Sequence, residues 1–571
     1  MTINELAEAV VMDNDETVLD EEARFSYSSD VFSGCESLFV LTGDEVGMAH
    51  YSIQEFLTSE RILEGEASFF SIRKDESMEE ICLRCLTYIS YEDFSNGPSS
   101  SQEEFDARLK RYPFLDYACN NWFTHCATRQ IQENCSARFE SIWISPHRPK
   151  YLSWAQVFSD KSITLRRDFK SYTLLTPSIL YYPALWGLKY LCERIPHFDR
   201  NATNQVGGYY GTALQAASVS RHSEVIRLLI EYGVDVNQQS GYFGNALQAT
   251  AVVGDCNIAL LLLRNGGLVH TQVGTYGTSL QGAARHGHLD MVQLLLRHGA
   301  EVNQHAGPYG TALQAASNNG HVQIVHCLLE NGASVNDNSG AFGTALESAC
   351  AAAVEHTAVV RLLLQRNADP EISGGLYSLP LIAASLCGHS DSVAVLLEHG
   401  ANPDIFDGVY GYPLQAAAMN GHQDTVETLL KHGASVNTRG GRYSSALQAA
   451  ARNGHMAVIR KLLDHGAEVD EGAGYYGSPL QAACRNGFIE VARVLLDHGT
   501  NPNSEGGSYG NPLQAAASAG WTEVVKLLID RGSKIKQIGG PHHTALSAAT
   551  AGGHLDIINL LIDAGADTPS I

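Results

Sequence analysis

One leucine recurs at a fixed interval through the last two-thirds of this chain: Leu214, Leu247, Leu280, Leu313, Leu346, Leu381, Leu414, Leu447, Leu480, Leu513 and Leu546. Every step is 33 residues except Leu346 to Leu381, which is 35 and absorbs extra residues in the Ala-rich segment around Ala351 to Val354. A period of this length specifies a supersecondary unit too small to bury its own apolar side, so neighbouring units must stack.

The unit can be read from its residues. Thr212, Asn245, Thr278, Thr311, Thr344, Ser445, Ser478, Asn511 and Thr544 stand two residues before the leucine, where a side-chain oxygen caps the free N–H groups of a new helix. Pro380, Pro413, Pro479 and Pro512 fill the first helical position, where the missing N–H costs nothing. A Gly-His pair, as in Gly287-His288, Gly320-His321, Gly421-His422 and Gly454-His455, marks the turn into a second helix. That helix carries apolar residues at i, i+3 and i+4, such as Val292, Leu295 and Leu296. It stops at a glycine able to turn left-handed: Gly233, Gly266, Gly299, Gly332, Gly400, Gly433, Gly466, Gly499, Gly532 or Gly565. A loop with runs such as Val302-Asn303 and Val436-Asn437 and a glycine-rich tip closes each unit.

The text around the leucine, Thr212-Ala213-Leu214-Gln215-Ala216-Ala217 or Asn511-Pro512-Leu513-Gln514-Ala515-Ala516, resembles the ankyrin signature T-P-L-H-x-A, with glutamine in place of histidine. The resemblance implies a mainly α fold, an ankyrin-repeat solenoid of helix-turn-helix units with β-turn fingers. Eleven clear repeats follow a degenerate capping unit, Ser178 to Leu188, whose bulky Tyr182 and Trp186 imply packing against whatever precedes them. The array is expected over 176–571.

The opening stretch resembles a second family. Met1 to Val10, Leu38-Phe39-Val40, the Gly43-Asp44-Glu45-Val46 turn and Ala49 to Leu57 look like the winged-helix segment that follows a NACHT-type ATPase domain in fungal proteins, where an ankyrin array commonly follows. Arg111 to Ala118 and Trp122 fit the helical connector of the same proteins. The expected organisation is a winged-helix-like domain over 1–65 and a helical connector over 66–175. Ser95 to Ser101 is expected to be a flexible loop open to nicking, and Trp143 and Trp154 to fix the connector onto the first repeats. No G-x-x-x-x-G-K-[ST] loop occurs in the chain, so the expectation is the sensor half of a signalling ATPase without its motor.

Charge narrows the partners. A formal net charge of -24 repels phosphate backbones and anionic lipid, and residues 1–60 hold fourteen Asp or Glu against one basic residue, Arg24. Neither nucleic acid nor membrane is expected as a partner, and no apolar run approaches the ~20 residues of a membrane span. The start has no basic, apolar leader pattern, so cytoplasm or nucleus is expected. The twelve cysteines are irregularly spaced and read as reduced; Cys82 and Cys85 form a C-x-x-C without a visible second ligand pair and read as structural.

No catalytic constellation, cofactor loop or metal-ligand cluster stands out, so no catalytic, cofactor or metal residue is expected and the chain does not read as an enzyme. Histidines before the terminating glycines and in the Gly-His turns belong each to its own repeat and read as satisfying local backbone groups. The glutamine series Gln215, Gln248, Gln281, Gln314, Gln415, Gln448, Gln481 and Gln514 reads as bridging neighbours, and it breaks at Glu347 and Ile382. Asn367 replaces a terminating glycine in the same place, which suggests a weak interface or hinge over 340–385. The candidate partner-binding residues lie four before the anchor leucine: Tyr210, Tyr276, Tyr309, Tyr410, Tyr443, Tyr476 and Tyr509, with Phe243, Phe342 and Tyr377 in the same series. They suit either a stacking ladder between fingers or a binding strip. The expected function is recognition of a protein ligand on the array, in NACHT-type signalling. The alternative is a regulatory or oligomerising partner that acts through the N-terminal region on a full-length NACHT-type ATPase.

Overall fold

The computed structural model describes residues 2–12, 18, 23–24, 28, 31, 39–48, 74–126, 128–144, 149–158, 178–198, 200–377, 379–470 and 474–567. The chain divides into two compact units, residues 1–275 and 276–571. Both are mainly helical, and a two-stranded hairpin is the one sheet among the described residues.

In the first unit, helix Ile3–Val11 begins on a capping box in which Thr2 and Glu5 satisfy each other's backbone N–H. Strands Phe39–Thr42 and Glu45–Met48 pair antiparallel about the expected Gly43-Asp44 turn. The Ile3 N–H donates to the Asp44 carbonyl at 2.9 Å, tying helix to hairpin. Leu38 and Ala49 to Leu57, which carry more of the winged-helix resemblance, lie outside the described residues, as do 66–73 and 159–175 of the connector.

Helices Lys74–Ile89, Gln102–Arg111, Leu115–His125, Arg129–Asn134, Ser136–Trp143 and Pro149–Val157 enclose a core of large rings. Trp122, Trp143, Trp154, Tyr88, Phe114 and Phe139 are fully buried. Trp143 stacks on Phe139 with centroids 4.4 Å apart and meets Trp122 at 5.3 Å and Trp154 at 5.2 Å. The degenerate unit, helices Tyr181–Leu185 and Lys189–Phe198, docks on this core through the two residues that depart from the repeat pattern. Trp186 lies flat on Phe123, 3.9 Å between centroids and 3° between planes, while Tyr182 meets Trp154 edge-on at 4.8 Å. Trp154 therefore joins the connector to the degenerate repeat unit directly, and Trp143 sits one ring deeper. The run Ser95 to Ser101 differs from the flexible loop expected of it. Gln156 accepts from the Ser99 N–H at 2.7 Å and donates to its carbonyl at 2.9 Å, and Arg108 donates to the Gly97 carbonyl. Polar composition marked a turn; a buried glutamine 57 residues away pins it.

Within the repeats the local grammar is as read. All nine capping residues from Thr212 to Thr544 accept the N–H three residues on. The four prolines occupy the first turn. The second helices end at left-handed glycines with φ from +76° to +99°, and Asn367 takes that conformation at φ +62°, which asparagine tolerates better than most residues. Several fingers are tight reversals closed by one bridge, as in Ala306 with Gly310 and Gly506 with Gly510.

The second unit alternates first helices, Ser279–Arg285 through Ala545–Gly552, with second helices, Leu289–Arg297 through Leu555–Asp563. Its core is made of small and aliphatic side chains, with Leu295, Leu328, Leu396, Leu462 and Leu528 fully buried. Three polar ladders join neighbouring repeats. In the first, glutamine Nε2 donates to finger carbonyls of the next repeat, as from Gln415 to Ser444 at 2.9 Å and from Gln481 to Gly510 at 2.8 Å. In the second, a finger asparagine grips the next repeat's end: Asn437 donates to the Gly466 carbonyl at 3.1 Å and accepts from Glu468 N–H at 2.8 Å. The third is made by the Gly-His turns. His321, His422 and His455 bond through Nε2 to the Arg285, Leu386 and Met419 carbonyls of the preceding repeat at 2.9, 2.9 and 3.0 Å. These histidines therefore serve the neighbouring repeat, whereas the sequence suggested a local role. The histidines before the terminating glycines are local: His399 and His465 bond the carbonyl four residues back at 2.8 Å.

Candidate functional site

The aromatic series at the finger bases is stacked within each unit. In the first unit Tyr210 stacks on Phe243 at 5.7 Å, and Tyr209 on Tyr242 at 5.0 Å. In the second unit Tyr309 stacks on Phe342 at 5.4 Å and Tyr443 on Tyr476 at 6.3 Å, while Tyr377 and Tyr410 are tilted at 6.4 Å. Tyr276 and Tyr309 are linked through a cation and not ring to ring: Arg285 sits over both, 5.7 and 4.6 Å from their centroids. Tyr210, Tyr276, Tyr309, Tyr410, Tyr443 and Tyr509 are half-buried, and Tyr476 is buried. The half-buried rings thus keep part of their surface open, whereas Tyr476 is covered.

The arginines were not singled out in the sequence, although a signal was there. Arg285, Arg452 and Arg485 all lie five residues after an anchor leucine, at the end of a first helix. Arg452 lies between Tyr443 and Tyr476, at 5.7 and 5.0 Å, and Arg485 lies 5.0 Å over Tyr509. Arginine prefers such a seat because its weakly hydrated planar cation is attracted to the ring face. Burial acts to raise the Tyr509 phenol. Hydrogen bonds from Arg485 and Tyr475, with the charges of Arg485 and Arg452, outweigh it and hold the group below its ordinary range.

The glutamine ladder changes chemistry where it breaks. Glu347 is completely buried, and its carboxylate accepts from the Tyr377 N–H at 3.2 Å. A carboxylate has no N–H, so the donation that Gln314 makes to the Asp337 carbonyl at 3.0 Å has no counterpart from Glu347 when ionised. Ile382 neither donates nor accepts; it packs with Leu379, Leu386 and Ala416.

The cysteines are closer together than their spacing suggested. Eleven are described and all are free thiols. Cys126 and Cys135 lie against Cys82 in the connector, and hydrogen bonds to them, with burial, push the Cys82 thiol far above its ordinary range. The C-x-x-C thus has neighbours that the linear sequence hid, yet no group of three His, Cys, Asp or Glu with metal-holding geometry occurs among the described residues. A groove of about 640 Å³ runs between second helices Leu289–Arg297 and Val322–Glu330; its Glu330 pairs with His326 and Arg366. No helix among the described residues is long and apolar enough to cross a membrane.

Helix pairs of 33 residues, capped alike and laced to their neighbours by repeated polar ladders, define a helical-repeat interaction scaffold. The pattern of ankyrin repeats in three copies matches residues 280–374, 374–440, 439–506 and 503–570, and that of a single ankyrin repeat matches 211–241. These matches cover more than half of the sequence, and the chain belongs to the ankyrin-repeat family, whose repeats are protein–protein interaction modules. It is 30% identical over 259 residues to azaphilone pigments biosynthesis cluster protein L of Monascus ruber, covering 41% of this chain and 53% of that protein. The match thus spans about half the length of that curated relative. It is also similar to the ankyrin repeat domain of human ASB11, with 32% identity, 39% of this chain and 98% of that one covered, and a TM-score of 0.36.

Proposed function

We propose that this chain is a non-catalytic scaffold that binds a protein partner along its finger bases and first-helix ends, with Tyr210, Tyr276, Tyr309, Tyr410, Tyr443, Tyr476 and Tyr509 as contact residues. The half-open aromatic strip carries this reading. Its rings are held rigid by stacking, so a partner gains amphipathic contact area with little side-chain entropy to lose. A cytoplasmic site of action fits a chain rich in free thiols. The organisation behind the reading is a winged-helix-like segment over 1–65, a connector over 66–175 and the array over 176–571. Its setting is NACHT-type signalling, as a ligand sensor. The resemblance of Arg111 to Ala118 to the connector of fungal NACHT proteins supports this, and similarity to a Monascus protein agrees with a fungal context.

The test is cross-linking mass spectrometry on the full chain with its co-purifying protein. Cross-links gathered around residues 276–310 and 440–510, and weakened binding by Tyr309→Ala, are expected. Cross-links confined to residues before 176 would instead favour the alternative, a regulatory partner that docks on a NACHT-type ATPase through the N-terminal region.

A further inference from the structure

The position five residues after the anchor leucine is charged in three repeats and uncharged in the other eight. All three charges are arginines, in a chain with 62 acidic and 38 basic residues other than histidine. Arg452 and Arg485 occupy it in consecutive repeats. Each is only partly exposed, and each guanidinium is laid on tyrosine rings at 5.0 Å. Neither forms an ion pair with a carboxylate among the described residues. Arg452 donates to the Asn453 side chain at 2.8 Å. Among the described acids of the flanking fingers, Glu468 pairs with Arg439 at 2.5 Å, Asp470 accepts from the Asn501 N–H at 2.7 Å and Glu505 accepts from Gln537 at 2.7 Å. Nε is buried in both residues, so each guanidinium has its terminal Nη groups left for a planar anion, the chemistry that favours carboxylate.

Spacing makes the requirement more specific. Neighbouring helices pack about 8–10 Å apart, so successive guanidinium groups repeat at roughly that distance. An extended segment in the polyproline II conformation rises about 3.1 Å per residue with three residues per turn, so side chains at i and i+3 share one face about 9 Å apart, one repeat. We infer that Arg452 and Arg485, seated on Tyr443, Tyr476 and Tyr509, bind an extended segment of a protein partner that carries carboxylate side chains three residues apart. The strongly acidic remainder of the chain repels such a segment from other surfaces, so charge directs it to this strip. This rests on the reading of the array as a protein-binding scaffold and adds the chemistry of what it binds.

Selection of phage-displayed random 12-residue peptides on the full-length chain, in buffer of low ionic strength, tests it. The expected winners carry Asp or Glu at i and i+3, lose at least tenfold in affinity when those residues become Asn or Gln, and weaken as salt rises. The paired substitution R452Q/R485Q is expected to cost the same factor, while Arg460→Gln on a second helix is expected to have no effect. The milder R452K/R485K, which keeps the charge and loses the planar fork, is expected to fall between, with circular dichroism melts confirming that each variant is folded. Winners without paired acids, or acidic winners indifferent to R452Q/R485Q, would overturn the inference and leave the array's binding role standing. Enrichment of no peptide at all would count against both.

Discussion

The connector and the second unit bury their interiors in opposite ways. Among the described residues the largest fully buried side chains all lie between Leu86 and Tyr181, among them Trp122, Trp143 and Trp154, and these tryptophans have partners drawn from distant positions. The second unit holds its helices with alanine, valine, isoleucine and leucine and repeats each contact once per unit. A core of unlike rings is a single fitted object, in which removing one piece disturbs all the others. A repeated core is a sum of nearest-neighbour interfaces, so damage stays local. The first repeat unit meets both regimes, with a helix-pair backbone and tryptophan-lined packing.

The comparison can be broken in order of effect. Trp154→Ala removes a ring that contacts Trp143, Tyr182 and Trp186 and whose indole N–H donates to the Cys119 carbonyl at 3.0 Å. It is expected to cost about 3–5 kcal/mol in urea unfolding and to raise hydrogen exchange throughout 74–198. Leu462→Ala, also fully buried, is expected to cost about 2–5 kcal/mol, with faster exchange limited to its own repeat and those on either side. Equal spread of exchange in the two variants would erase the distinction.

Two glycines sharpen the account of the repeats. Gly433 has φ +87° and open space where a Cβ would be, so Gly433→Ala is expected to cost only the left-handed penalty, about 1–2 kcal/mol. Gly421 has φ +77°, and a Cβ there would stand 2.5 Å from the His455 ring of the next repeat. Gly421→Ala is therefore expected to cost about 1–3 kcal/mol more than Gly433→Ala in thermal melts. Equal costs would mean that the histidine turn yields freely.

Glu347→Gln restores a donor at the break in the glutamine ladder. It is expected to add about 1 kcal/mol and to slow hydrogen exchange over 340–385, where the interface is expected to be weakest. Exchange there already matching the flanking repeats would remove the hinge.

Acid acts more diffusely. Burial, the largest cause in each case, holds the imidazoles of His286 and His356 in the second unit below their ordinary range. The unfolded chain then binds these protons more readily. The second unit's stability is therefore full above about pH 6.5, falls as pH drops below it, and levels off once the folded rings are protonated as well. A chain with both replaced by Asn is expected to show a shallower loss of melting temperature between pH 7.5 and 5.5.

Much of this was legible in the residues. Each cap from Thr212 to Thr544, each terminating glycine and even the left-handed Asn367 could be placed from sequence, because helix start and stop signals act within a few residues. The glutamine ladder was legible as well, since a repeated polar residue beside a buried leucine needs a repeated partner. Less visible was the partner of His422, a carbonyl 36 residues back, and the seat of Arg452 on two tyrosines, one of them in the next repeat. The turn glycines likewise looked purely conformational until the next repeat's ring was seen against them.

The residues alone determined the unit: where its helices begin and end, which side is apolar, and that it must stack, because those properties follow from local hydrogen bonding and a period of 33. Only the tertiary structure decided what each unit offers its neighbour. It put histidine and asparagine to work between repeats, placed cations on the aromatic strip, and gathered Cys82, Cys126 and Cys135 in the connector. The physical reason is that such contacts depend on the distance and angle between packed helices, which a repeat period constrains, and on unique ring-to-ring fits in the connector, which no period encodes.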